Sequence, residues 1–175
     1  MLCAATSLSA MLPADRKTRR LHLSRISMAD LDAFIDLETE LRRHETPPRG
    51  APERGAWTGY LKQFARVWDD GQLGYWTIRY DGRVVGFGGV KPKRWREQDC
   101  WNLYYRLWPR VTGLGLATEM AREAVAVAAE QQPEWPVLVE TRPPNRPAIA
   151  VAQRAGLTRR PDLDADGWVV LLLER

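Results

Sequence analysis

"YYRLWPRVTGLGLATEMAREAVAVAAE", residues 104–130, changes its periodicity part-way along. Tyr104 to Trp108 ends an aromatic segment that begins at Cys100, and its side chains alternate as in a strand. After the join, Leu114, Ala117, Ala121, Ala124, Val125 and Ala128 recur at helical spacing, with Glu119, Arg122, Glu123 and Glu130 on the other face. The join itself is Arg110-Val111-Thr112-Gly113-Leu114-Gly115. Gly113 and Gly115 lack a Cβ, so the backbone there can turn tightly or approach another group closely. The first turn of a helix has amides with no internal partner, at the positive end of the helix dipole. Such a corner is either a plain turn or a cradle for a phosphate or pyrophosphate, with Arg110 as a charged flank, and the local pattern leaves both open. A dinucleotide fingerprint would need a third glycine where Thr118 stands, and no Gly-Lys-Ser/Thr run marks a Walker loop.

Working outward, "PVLVET" (136–141) is a continuous apolar run, as expected of a strand buried on both sides. "NRPAIAVAQRAG" (145–156) is a short helix with Pro147 near its start and Gly156 past its end, and "GWVVLLLER" (167–175) is a last strand. Upstream, "RLHLSRIS" (20–27) reads as a first strand, and Ser27 with Asp30 resembles the cap of a helix striped by Leu31, Phe34, Ile35 and Leu41. "HETPPRGAPERG" (44–55) is a breaker-rich loop, followed by a second helix striped by Trp57, Tyr60, Leu61, Phe64, Val67 and Trp68. "LGYWTIRY" and "RVVGFGGV" flank Asp81-Gly82 as a hairpin, and "KPKRWREQD" (91–99) reads as a charged loop. Gly86, Gly88 and Gly89 suit tight strand packing better than phosphate binding. Antiparallel strands followed by a strand–helix–strand crossover predict an α/β (α+β) fold, a mixed central sheet of about six to seven strands with helices on both faces.

With 175 residues, 45% apolar and 27% charged, the chain has the balance of one globular domain. No segment approaches the roughly 20 apolar residues that span a bilayer. Cys3 and Cys100 form neither a metal spacing nor a disulfide framework, so a cytoplasmic setting is the default. Of the net charge of +4, the first 20 residues carry most: Arg16, Lys17, Arg19 and Arg20 stand against Asp15 alone. The remainder is nearly neutral, which argues against nucleic acid as a partner. Residues 1–19 read as a flexible extension and 20–175 as the domain.

The Arg-x-x-Gly-x-Gly of Arg110, Gly113 and Gly115, set between an aromatic strand and a long helix, resembles the core motif of the GNAT N-acetyltransferase superfamily. "PRVTGLGLATEM" and a downstream Asn145, Val151, Ala152 and Gly156 are similar to the branch that holds ribosomal-protein N-terminal acetyltransferases. Ala148 stands where that branch has serine, and Leu157 where it has phenylalanine. The resemblance covers about residues 20–175 and is dense over 104–157. It implies a GNAT fold and acetyl-CoA as cosubstrate, with the amides of Val111, Thr112, Gly113, Leu114 and Gly115 on the pyrophosphate and Thr118 beside it. It also implies that pantetheine pairs with a splayed strand at Leu107 and Trp108, and that Asn145 holds its arm; the bland reading of Asn145 is a helix cap.

The implied reaction is direct attack of a primary amine on the thioester. Its base candidates are Glu140, at the end of the buried strand, then Asp99 and Glu97; each is also readable as a solvated strand-end carboxylate. The tyrosine that many members carry seven residues after the asparagine is Ala152 here, so the proton donor is unassigned. Tyr104 and Tyr105 alternate, one toward the site and one toward the core. Trp57, Trp76 or Trp101 are candidates to wall an acceptor pocket. The acceptor, a protein N-terminus or a small-molecule amine, is not legible, nor is the choice between monomer and homodimer. A non-catalytic acyl-CoA-binding module of the same fold is the alternative.

Overall fold

The computed structural model describes residues 15–45, 49–51 and 53–174. Among the described residues eight strands form one sheet: β1 (Arg16–Lys17), β2 (Leu21–Arg25), β3 (Tyr75–Tyr80), β4 (Arg83–Trp95), β5 (Gln98–Leu107), β6 (Val137–Thr141), β7 (Thr158–Arg159) and β8 (Val169–Leu173). Their order across the sheet is β1-β2-β3-β4-β5-β6-β8-β7, antiparallel throughout except between β5 and β6. The α-helices of the described residues are α1 (Leu31–Arg43), α2 (Arg54–Asp69), α3 (Leu116–Gln131) and α4 (Arg146–Arg154).

Neighbouring residues of β4 show the two faces. Phe87 meets Phe34 of α1, their ring centroids 5.2 Å apart. Gly88 faces α3, where an added Cβ would lie 2.8 Å from Met120 Cε and 2.7 Å from the Tyr104 carbonyl. The helices therefore cover both faces, and the glycine lets α3 lie close to the sheet, as the strand-packing reading predicts. At the start of α1, the Asp30 carboxylate accepts from the Ser27 amide at 3.0 Å, the reciprocal half of a capping box.

Two short edge strands, β1 and β7, bring the sheet to eight against the six to seven expected, and their two-residue length carries no periodicity to read. The charged stretch 91–99 is not a loop. β4 continues through it to Trp95, and β5 starts at Gln98 after a two-residue turn in which Arg96 and Glu97 have φ of 45° and 66°. Lys91, Lys93 and Trp95 alternate with Pro92 and Arg94, a strand pattern hidden by its charge. Pro92 is tolerated because β3 pairs with β4 only as far as Gly89, which leaves that edge open.

The N-terminal segment is described from residue 15. There β1 pairs with β2, and Arg16 forms an ion pair with Glu130 and approaches Glu123 at 3.6 Å on α3. Residues 15–19 are thus laid along the sheet edge, while 1–14 fall outside the described residues. No helix among the described residues is long and apolar enough to cross a membrane.

Candidate functional site

The parallel pair β5–β6 is short. Only Trp101 and Asn102 pair with Val137 and Leu138, whereas β5 runs on to Leu107, paired throughout with β4. Beyond Asn102 the two strands part. The Trp101 amide donates to Pro136 O at 2.9 Å on the β6 side, and the Trp108 amide donates to Val85 O at 2.9 Å on the β4 side. Backbone polar groups alternate along a strand, so Leu103, Tyr105 and Leu107 turn theirs into the gap. Leu107 turns its backbone into the gap, whereas the Trp108 amide belongs to the sheet and its ring lies under the Arg110 guanidinium at 4.4 Å. Leu103 and Tyr105 were missed, although strand alternation from Leu107 would have found them.

The gap leads to the glycine loop. Pro109 to Val111 form a 3-10 turn with Val111 buried, and Thr112, Gly113, Leu114 and Gly115 are exposed. Gly113 and Gly115 have φ of 84° and 74°, the left-handed region that favours glycine. Gly115 caps α3, whose first α-helical bond runs from the Glu119 amide to Gly115 O at 3.1 Å. Among the described residues nothing accepts from the amides of Gly113, Gly115, Leu116, Ala117 or Thr118. A Cβ at Gly113 would meet nothing within 4 Å, whereas one at Gly115 would lie 3.6 Å from Arg20 Nη2. Thr118 is buried in the first turn. Arg110 turns back over Trp108 and donates to Val84 O at 3.4 Å, so its charge flanks the loop from the sheet side.

Arg20, just before β2, holds this loop. Its Nη1 donates to Leu114 O at 2.8 Å, and its Nε donates to Glu119 Oε2 at 2.7 Å. Glu119 also accepts from the Thr18 hydroxyl at 2.6 Å and the Arg20 amide at 2.8 Å. Burial pulls this carboxyl upward, but the Thr18 and Arg20 hydrogen bonds outweigh it and hold Glu119 below the usual carboxylate range.

On the other side of the sheet, at the point where β5 and β6 part, lies a cavity of about 370 Å³ lined by Lys93, Asn102, Glu140 and Trp168. Glu140 sits in its wall, accepting from Trp95 Nε1 at 2.9 Å and ion-paired with Lys93. Asp99 is not brought there. It projects from the opposite face of β5 near the hairpin end, half exposed, and pairs with Arg94 at 3.3 Å. Glu97 lies in the exposed turn. The tryptophan at the cavity is Trp168, with Arg142 stacked on its ring at 3.9 Å, rather than Trp57, Trp76 or Trp101. Trp76 is fully buried, Trp101 packs on Trp135, and Trp57 packs on Phe34.

The family profile described as an acetyltransferase (GNAT) domain matches residues 20–158. The chain belongs to the GNAT acetyltransferases. It is 34% identical over 71 residues to YjgM of Escherichia coli K12, an uncharacterized N-acetyltransferase; that match spans 40% of this chain and 42% of the relative. Among solved structures, an acetyltransferase from Agrobacterium tumefaciens C58 is similar in fold, with a TM-score of 0.76 and 23% identity over 92% of this chain and 94% of that one. RimL, a ribosomal-protein alpha-N-acetyltransferase solved with coenzyme A, has a TM-score of 0.70 and 13% identity, over 93% and 97% of the two chains.

Within this GNAT chain Asn145 does what the bland reading says: its Oδ1 accepts from the Ala148 amide at 3.3 Å, capping α4. Its Nδ2 donates to Thr141 Oγ1 at 3.0 Å, which leaves the second amide hydrogen free for another acceptor. Tyr105 reaches α4 and donates to Ala148 O at 2.6 Å. Tyr104 lies on the cavity face, stacked on Tyr75 at 4.9 Å. Burial pushes both phenols well above their ordinary range, so both stay protonated at neutral pH.

Glu38 went unread in the sequence. It is fully buried on α1, ion-paired with Arg106 of β5, and its Oε1 has no partner among the described residues. Burial pushes it up, and Arg106 and Arg42 only partly oppose this. The signal was present: Glu38 falls four residues after Phe34 on the apolar stripe of the helix, a carboxylate where the core should be.

Proposed function

We propose that this protein transfers an acetyl group from acetyl-CoA to a primary amine, on a small molecule or a protein N-terminus. The observation that carries the reading is the parting of β5 from β6: one face of the opening runs to the amide-lined loop, and the other opens on a polar cavity. The backbone groups of Leu103, Tyr105 and Leu107 suit the amide groups of a pantetheine arm, as a partial strand partner would. The amides of Gly113 to Thr118, with the α3 dipole behind them, suit the pyrophosphate. RimL, with coenzyme A bound, shares this fold.

The chemistry is an addition and an elimination. The amine nitrogen attacks the thioester carbonyl carbon, a C–N bond forms, the C–S bond breaks, and the proton that the nitrogen then sheds passes to the departing thiolate, directly or through water. Attack needs a neutral amine. Glu140 is the carboxylate in the cavity wall; beyond its contacts to Lys93 and Trp95 its oxygens keep lone pairs, which receive the acceptor's proton, directly or through water. A backbone N–H turned into the gap, such as that of Leu107, polarises the carbonyl.

Acetyl-CoA at 100 times its dissociation constant should stabilise the protein by about 2.7 kcal/mol. Gly113→Glu should abolish that thermal shift. The unliganded protein should lose only about 1–2 kcal/mol, because the added side chain meets open space but takes a left-handed φ. Absence of a shift in the wild type would remove acetyl-CoA from the reading.

A further inference from the structure

The cavity face of the sheet holds a cation that the acetyl transfer itself does not use. Lys91 projects from β4 on the same face as Lys93, directly opposite Asn102 of β5. Its Nζ lies 5.8 Å from the ring centroids of Phe64 and of Tyr75. Among the described residues no carboxylate comes within ion-pair distance of it, whereas Lys93 beside it is matched by Glu140. The Tyr75 hydroxyl accepts from Asn102 Nδ2 at 2.6 Å, which ties this aromatic wall to the cavity lining. Burial, then Lys93, pull the Lys91 pKa down, the mark of a half-buried cation short of counter-charge. Elsewhere on this face Arg106 is paired with Glu38, and Arg142 stacks on Trp168 at the cavity.

From this geometry we infer that the acceptor is an amine carrying a carboxylate: the amine is received at Glu140 and the carboxylate at Lys91. The inference rests on the acetyltransferase reading and narrows its acceptor. Lys91 stands on β4 and Glu140 on β6, with β5 between them, and neighbouring strands lie about 4.8 Å apart. The carboxylate is therefore several bonds from the reacting nitrogen, as in a γ-amino acid or the side chain of an acidic α-amino acid. A polyamine fits badly, since its second ammonium would face Lys91.

The test measures thiol release from acetyl-CoA with matched acceptors: γ-aminobutyrate and its carboxamide, glutamate and glutamine, and putrescine. Peptides beginning with glutamate or glutamine form a further arm, which separates a free molecule from a chain terminus. The carboxylate member of a pair should exceed its amide in kcat/KM by about tenfold or more, because a charge-assisted contact is lost in the amide. Lys91→Gln should collapse that ratio, and Lys91→Glu should reverse it toward putrescine. Equal rates within each pair, or a ratio unchanged in Lys91→Gln, overturn the inference. Calorimetric binding of the same pairs to the CoA-saturated protein reads the preference without turnover. If acetyl-CoA binds and no amine reacts, the transfer reading fails while the acceptor inference is still decided by the binding ratio. Acetyl-CoA titration of each variant reports that its fold is intact.

Discussion

Glu38 is the residue at which packing and charge oppose each other most directly. Its carboxylate is buried beside Arg106 with one oxygen unpartnered, and burial raises its pKa. A carboxyl raised in the folded state contributes stability that is fully present below its unfolded value and lost as pH rises through the folded value. Glu38→Gln should therefore match the wild type more closely near pH 4.5 and gain on it by pH 8. The relative change should be about 1 kcal/mol for each unit by which the folded pKa is raised. Urea unfolding at the two pH values measures it, and a difference independent of pH would show that Arg106 compensates the charge in full. Glu140 presents the contrasting case. Trp95 and Lys93 fix both its oxygens at the cavity wall, so its orientation is set before any acceptor arrives.

At the scale of elements, the glycine loop is positioned by a strand that is remote in sequence. Arg20 on the approach to β2 holds the Leu114 carbonyl and Glu119 together, linking the loop to the first turn of α3. Arg20→Ala should free the loop and raise the acetyl-CoA dissociation constant about tenfold, the scale of one charge-assisted contact. The direct stability cost should be about 1 kcal/mol or less, because the pair is partly exposed and screened. A calorimetric titration checks the first and a melting curve the second; unchanged binding would show that the loop holds its shape without β2. The β4–β5 hairpin bears on the acceptor side in the same way. By continuing as strand through Lys91, Lys93 and Trp95, it sets all three on the cavity face, with Lys93 in the lining and Trp95 bonded to Glu140, which a solvated loop would not do.

Over the whole molecule, the sheet edge is closed by β1, and its side chains reach across to α3. Arg16 pairs with Glu130, and the Thr18 hydroxyl bonds Glu119. Deleting residues 1–19 should therefore do more than trim charge. It should lower the melting temperature by several degrees, since about 1–2 kcal/mol shifts a domain of this size by roughly 2–4 °C per kcal/mol. It should also weaken acetyl-CoA binding through Glu119. A truncated protein that melts and binds as the full chain does would mark residues 15–19 as a passive edge.

The strand–loop–helix join, the buried apolar strand after it and the capped helix beyond are local patterns. Gly113, Gly115 and Asn145 were legible because a left-handed turn and a helix cap each demand particular residue types at particular spacings. The order of elements alone was enough to imply a mixed sheet with a crossover. What the sequence could not carry was which residues meet. Arg20 lies 94 residues from Leu114, Glu38 lies 68 from Arg106, and Lys93 lies 47 from Glu140. No periodicity relates such pairs; the strand order and register bring them together. For the same reason Asp99 and Glu140, alike as carboxylates near strand ends, separate only in three dimensions: side chains alternate across the sheet, and one stands at the cavity while the other faces away.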